Sequence, residues 1–263
     1  MIFYFSGTGN TLWAARRISE AIGEQLIPMT SAGPEAQGFE LSDDERIGFC
    51  FPVHGWRPPA LVRDFVRRIS VPHPGNRYCW MLCTAGDDIG ETVSIFQKDL
   101  SPTGLHVSSA FSLAMPETYV GLPFMDVDSL DKEHQKKAQA RIDLERHIQV
   151  ITARGEGATP QHTSHWPRIN SRLLGAAFVK WLVTDKPFRV DPARCLRCGK
   201  CAEVCPVGNI SGGKRQLPEW LHQGRCLTCF ACYHYCPVKA IDYGRRTRNK
   251  GQYHYTNQET TQS

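Results

Sequence analysis

The chain opens on five largely apolar residues, Met1 to Phe5, and then alternates short apolar runs with longer segments of helical period. Met1 to Phe5 predicts a buried strand. Leu12 to Gly23 predicts a helix, with Leu12, Ala15, Ile18 and Ile22 on one face. Gln25–Met29, Arg46–Phe51, Tyr78–Cys83 and Val107–Met115 are further strands, and Ala60–Ile69, Ile89–Leu100 and Asp131–Arg154 further helices. Residues 30–44, rich in Gly, Pro, Ser and acids, form a loop. Strands that alternate with helices imply a parallel sheet covered on both faces. Cys50, Cys79 and Cys83 fall on inner strands as small core residues. In such sheets ligands bind beyond the carboxyl ends of the strands, where the strand order reverses.

Three of those strand-end loops carry candidate chemistry. Ser6-Gly7-Thr8-Gly9-Asn10-Thr11 joins the first strand to the first helix. Leading helix N–H groups lack internal partners, the dipole is positive there, and two glycines let the backbone turn tightly. With three hydroxyls added, the turn suits an anion, most often a phosphate. It lacks the Lys of a nucleoside-triphosphate loop, and Leu12 stands where a dinucleotide fingerprint needs its third glycine. A single terminal phosphate remains; the alternative is a helix cap that binds nothing. The segment resembles the phosphate loop of flavodoxins, which binds FMN. That resemblance spans 1–154 by pattern. It implies that Pro52, Val53, His54, Gly55 and Trp56, and then Thr84, Ala85 and Gly86, contact the flavin ring from the next two loops. It also implies that the Gly55 peptide can rearrange toward the flavin N5–H. Trp56 either covers the ring or packs on the surface, and His54 reads as a bystander. The loop at Thr84 lacks the aromatic that flavodoxins usually place there. The outer face is therefore open, or covered by Tyr119 or by the second half of the chain. Asp87 and Asp88 read as caps of the following helix.

The strongest pattern lies further on. Residues 195–206 read CLRCGKCAEVCP and residues 226–237 read CLTCFACYHYCP. Both are C-x2-C-x2-C-x3-C-P, the bacterial ferredoxin run for [4Fe–4S] clusters, in which the fourth Cys of each run serves the other cluster. The first set is then Cys195, Cys198, Cys201 and Cys236; the second is Cys226, Cys229, Cys232 and Cys205. Ile210 and Ile241 would shield the clusters from water, a lever on potential. Zinc is the competing reading, because paired C-x-x-C also makes zinc ribbons, but zinc does not call for the third Cys and the Cys-Pro in both copies.

Charge divides the chain as the cysteines do. Residues 1–155 carry 15 Lys and Arg against 19 Asp and Glu, and residues 156–263 carry 16 against 7. Two domains of opposite sign are expected. Residues 1–154 form the flavodoxin-like domain, 155–187 a linker with a docking helix around 169–183, and 188–263 the two-cluster domain with a basic tail. No charged leader with an apolar core precedes the first strand, and the apolar run 173–183 is too short to span a bilayer. A soluble cytoplasmic protein without a transmembrane segment is expected. The helix stripe reads as packing between domains, with a membrane surface as its less common fate. The basic, aromatic tail fits counter-charge for the clusters, or steering of an acidic ferredoxin or an oxidoreductase, better than nucleic acid.

The order of modules resembles a family of flavodoxin–ferredoxin fusion proteins, on FSGTGNT, FPVHGW, the two cysteine runs and Pro218-Glu219-Trp220. The resemblance implies an α/β flavodoxin-like doubly wound sheet, a C-terminal α+β ferredoxin domain, FMN and two [4Fe–4S] clusters. It implies an electron carrier between redox partner proteins. The alternative is an FMN-dependent reductase of a small molecule fed by ferredoxin-type electrons.

Overall fold

The computed structural model describes residues 1–31, 41–42, 44–71, 73–162 and 166–255. Most of the loop expected at 30–44, with residues 163–165 of the linker and the tail beyond 255, lies outside them. Five strands, β1 (Ile2–Tyr4), β2 (Leu26–Pro28), β3 (Ile47–Pro52), β4 (Cys79–Ala85) and β5 (Ser109–Ala114), form one parallel sheet in the order β2-β1-β3-β4-β5. This is the flavodoxin-like order, with its switch point between β1 and β3. β3 and β4 are buried on both faces, as central parallel strands must be. Helices α1 (Asn10–Ile22) and α4 (Leu130–Thr152) cover one face through Ala14, Ile18, Leu144 and Ile148. Helices α2 (Ala60–Arg68) and α3 (Thr92–Leu100) cover the other through Val62, Phe65, Phe96 and Leu100. Cys50, Cys79 and Cys83 are fully buried, and burial pushes the Cys79 and Cys83 thiols up to about 12.

The linker helix spans α5 (Pro167–Ile169), a π-helical turn (Asn170–Leu174) and α6 (Gly175–Trp181). Beyond it β6 (Phe188–Val190) pairs antiparallel with β9 (Ile241–Tyr243), and β7 (Ile210–Gly212) with β8 (Pro218–Trp220). Between them lie the one-turn helices α7 (Lys200–Glu203) and α8 (Ala231–His234). Phe230 is the hub of this small core, with rings of Phe188, Tyr233, Tyr243 and Tyr119 around it. Tyr119 comes from the loop after β5, so the hub joins the two halves. No helix among the described residues is long and apolar enough to cross a membrane.

Candidate functional site

The two cysteine runs fold into matching shapes. Arg197 and Thr228, two residues after the first Cys of each run, have φ of 52° and 50°; Gly199 and Phe230 follow at 83° and 56°. Non-glycine residues are uncommon in this left-handed region and cluster where function holds them. Here the turns aim backbone N–H groups at sulfur. Arg197 N donates to Cys195 Sγ at 3.4 Å and Thr228 N to Cys226 Sγ at 3.3 Å. Asn209 N donates to Cys205 Sγ and Ala240 N to Cys236 Sγ, both at 3.2 Å.

Two cavities result, each with about 320 Å³ of open space. One is ringed by Cys195, Cys198, Cys201 and Cys236, with Pro237 and Ile241. The other is ringed by Cys205, Cys226, Cys229 and Cys232, with Pro206 and Ile210. These are the two crossed sets that the spacing assigns. Among the described residues no three His, Cys, Asp or Glu side chains gather closely enough to share a single ion. Four thiols around a cavity suit the corner irons of a cubane, whereas a zinc site draws its ligands to one point.

At the carboxyl end of the sheet lies a cleft enclosing about 1050 Å³, solvent space included. Ser6, Gly7, Thr8, Asn10, Thr11, Pro52, Val53, His54, Gly55, Trp56, Thr84, Ala85, Gly86 and Tyr119 all line it. Gly9 does not; a side chain there would meet Tyr255 and Tyr235 instead. Helix α1 starts with no side-chain cap and no acid in its first turn, which suits an anion. Four of the expected ligand side chains are already engaged. Ser6 Oγ accepts from Gly9 N at 3.2 Å. Thr11 Oγ1 and Thr84 Oγ1 share a hydrogen bond of 2.7 Å. The Asn10 amide donates to Pro116 O at 3.1 Å and accepts from Tyr253 OH at 2.7 Å. The Asn10 side chain is thus a strut between the loop after β5 and Tyr253. The hydroxyl of Thr8 makes no hydrogen bond to another described residue. For a flavin phosphate seated in this turn, as the sequence implies, Thr8→Val is expected to weaken FMN binding about tenfold to a hundredfold, the worth of one hydrogen bond to a charged group. Fluorescence titration of flavin-free protein checks this; parent affinity would reduce the loop to a helix cap.

The second loop is held from outside the domain. His54 N donates to Arg57 O at 2.9 Å, closing a turn whose Gly55 and Trp56 have φ of 57° and 59°. A Cβ on Gly55 would lie 2.7 Å from the Phe178 ring, so the glycine is needed for both conformation and contact. Ser171 donates to Trp56 O at 2.8 Å and accepts from Glu91 N at 2.7 Å. Asn170 donates to Asp88 at 3.0 Å, and Arg172 clasps Glu91 with both arms. The π turn thus fastens the loops after β3 and β4 together. Asp88, read as a helix cap, accepts from Gly90 N at 2.9 Å with one oxygen and from Asn170 with the other, and α3 begins four residues later.

Burial pushes the pKa of His54 down to about 4, which leaves it neutral at pH 7 and unable to act as an acid. A depressed histidine contributes stability that is complete above its unfolded value near 6.5 and is lost as pH falls toward 4. Between those limits the parent is expected to lose stability faster than His54→Gln, by about 1.4 kcal/mol per pH unit at most. Anaerobic thermal unfolding across that window reads the difference; parallel curves would show that His54 takes up its proton freely in the folded chain. Glu117 was not anticipated from sequence. Its carboxylate accepts from Thr118 N and Tyr119 N, packs on Gly86, and has its pKa raised by burial.

The far wall of the cleft comes from the cysteine-rich half. Leu227, Thr228 and Cys229 line it, and Leu227 and Cys229 also line the second thiol cavity. A Cβ on Gly7 would stand 3.0 Å from Cys229 Cβ, so a side chain there would push the two loops apart by a few tenths of an ångström. Phe178 and Tyr119, rings 5.1 Å apart, complete the wall. The side that lacked an aromatic is therefore walled by both Tyr119 and the second half.

Residues 188–237 match the family model described as a 4Fe-4S dicluster domain. No curated protein matches the chain. Among solved structures it is similar to rubredoxin oxygen:oxidoreductase from the anaerobe Desulfovibrio gigas, at 15% identity and a TM-score of 0.30, over 57% of this chain and 35% of that one. It is also similar to the azoreductase AzrA, at 10% identity and a TM-score of 0.36, over 58% of this chain and 98% of that one. The chain thus joins a five-stranded flavodoxin-like sheet to a C-terminal dicluster ferredoxin domain.

Proposed function

We propose that the chain is a flavodoxin–ferredoxin fusion, an iron–sulfur flavoprotein that carries electrons between redox partners through two [4Fe–4S] clusters and FMN. The observation that carries this reading is the double placement of Cys229, which lines both the second thiol cavity and the cleft. The donor sets fit the groups: eight thiols in two rings, and an anion-ready turn below a cleft with aromatic walls. When bound, the clusters handle single electrons and FMN one or two. The protein's part is placement. Cys205, Cys226, Cys229 and Cys232 would hold the second cluster against the flavin loop. Cys195, Cys198, Cys201 and Cys236 would hold the first toward the surface, where Cys198 is exposed. Ser6, Thr8 and the leading N–H groups of α1 would bind the phosphate, while Trp56, Gly86 and Tyr119 bound the ring.

Protein purified without oxygen is expected to hold about eight irons and one noncovalent FMN per chain, the content of two cubanes and one flavin. A one-electron protein donor is expected to reduce both chromophores, and a one-electron acceptor to discharge them. Zinc in place of iron, or FAD in place of FMN, would refute the assignment of cofactors. Rapid discharge by a small molecule alone would turn the carrier into a reductase.

A further inference from the structure

The linker helix packs on the cleft with one face only. Its inward positions are Ser171, Gly175 and Phe178, small or aromatic residues that let the helix approach the loops after β3 and β4. A surface helix normally turns polar side chains outward. This one turns out Ile169, Leu173, Leu174 and Trp181, with Trp166 just before its first turn. Leu173 is 67% exposed, Trp166 67% and Trp181 68%. Apolar side chains gathered in this way mark a contact surface.

Charge identifies the occupant. No Asp or Glu occurs between Glu156 and Asp185, whereas Arg168, Arg172 and Lys180 all lie in that stretch. Arg172 is paired with Glu91, while Lys180 lies 5.4 Å from the ring centre of Trp181. A second copy docking the same face would set like charges against like, a repulsive arrangement. A helix of about 15 residues, some 22 Å long, with Trp at both ends and cations along its flanks has the composition of one that lies in a lipid headgroup layer. We propose that the outward face of Pro167–Trp181 is a peripheral contact for an anionic bilayer. Leu173, Leu174 and the two tryptophans enter the headgroup boundary, and Arg168 and Lys180 meet lipid phosphates. The inward face of the same helix walls the cleft, so this contact sets the flavin site beside the lipid surface.

The test uses full-length holoprotein purified without oxygen and sedimented with vesicles of phosphatidylcholine alone or with added phosphatidylglycerol. The protein is expected to bind the anionic vesicles, to bind the neutral ones weakly, and to be released by salt. Leu173→Glu combined with Trp181→Glu is expected to lower vesicle affinity more than about tenfold, through lost apolar contact and added repulsion. Its cluster and flavin absorbance should match the parent, since neither residue lines the cleft. Should the double variant lose its cofactors, Leu173→Ser alone gives the same comparison with a smaller loss. Failure of the parent to bind anionic vesicles would overturn the proposal, as would unchanged binding by the variants. A parent dimer that the same substitutions make monomeric, without vesicle binding, would overturn it in favour of a self-interface.

Discussion

Cys205→Ala is expected to remove the second cluster, leave FMN bound, and slow reduction of the flavin by a one-electron protein donor more than a hundredfold. Cys205 stands in the first run, yet it lines the cavity of Cys226, Cys229 and Cys232. The loss should therefore appear in the second cluster, while the first retains Cys195, Cys198, Cys201 and Cys236. The phosphate turn at Ser6–Thr11 and the loops after β3 and β4, which also line the cleft, lie apart from Cys205 and are expected to keep the proposed FMN site. The size of the effect follows from position. Of the two thiol rings, only the second shares wall residues with the cleft, so its loss leaves the donor a longer route. A small chemical reductant that reaches the flavin from solvent should work at the parent rate, which separates a broken relay from a damaged flavin site. Iron counts and electron paramagnetic resonance establish which cluster is missing, and stopped-flow absorbance gives the rate. Flavin reduction at the parent rate with the second cluster gone would remove that cluster from the path.

The features legible in the sequence are those whose cause is local. The strand-to-helix turn at Ser6–Thr11 is dictated by neighbouring residues, and the strands alternating with amphipathic helices by period. Cys205 and Cys236 line the cavities of the opposite runs, a long-range placement that the ferredoxin spacing leads one to expect. The features that stayed hidden join distant segments through side chains with no periodic signature. Asn10 looked like a phosphate ligand, and its type suits that role. Only contact with Pro116 and Tyr253 shows that its amide is committed elsewhere. In the sequence the apolar stripe at 169–183 reads as packing between domains. Half of it packs, and the half that faces outward could not be told from the rest by hydropathy. The basic tail reads as counter-charge for the clusters or a steering surface. Two of its cations also have a structural use: Arg246 donates to Gly121 O, and Lys250 to the carbonyls of Val120, Leu122 and Met125, so both bind main chain of the loop after β5.

Ending the chain after Gly251 is expected to cost FMN affinity at least about tenfold and to loosen the union of the two halves. Residues 252–255, which this removes, cross from the cysteine-rich domain to the phosphate loop. Gln252 donates to the Tyr233 and Cys236 carbonyls, and Tyr253 N donates to His234 Nδ1 at 3.1 Å. Tyr253 OH then donates to Asn10 at 2.7 Å, Tyr255 N donates to Thr8 O at 2.8 Å, and the Tyr255 ring stacks on Trp13 at 5.2 Å. Two hydrogen bonds to the flavin loop at about 1 kcal/mol each, and one aromatic pair at about 1 kcal/mol, come to about 3 kcal/mol before apolar burial is counted. Part of that holds the loop in the shape that receives a phosphate, so a tenfold loss, about 1.4 kcal/mol, is a conservative share. Tyr253→Phe isolates one strand of the strap. It leaves the Asn10 carbonyl without its donor, at about 1–3 kcal/mol, and removes nothing else. Flavin titration of both variants, with limited proteolysis of the linker as a second readout, gives the result. Parent affinity and parent resistance to protease in the truncated chain would show that the tail rests on the phosphate loop without holding it.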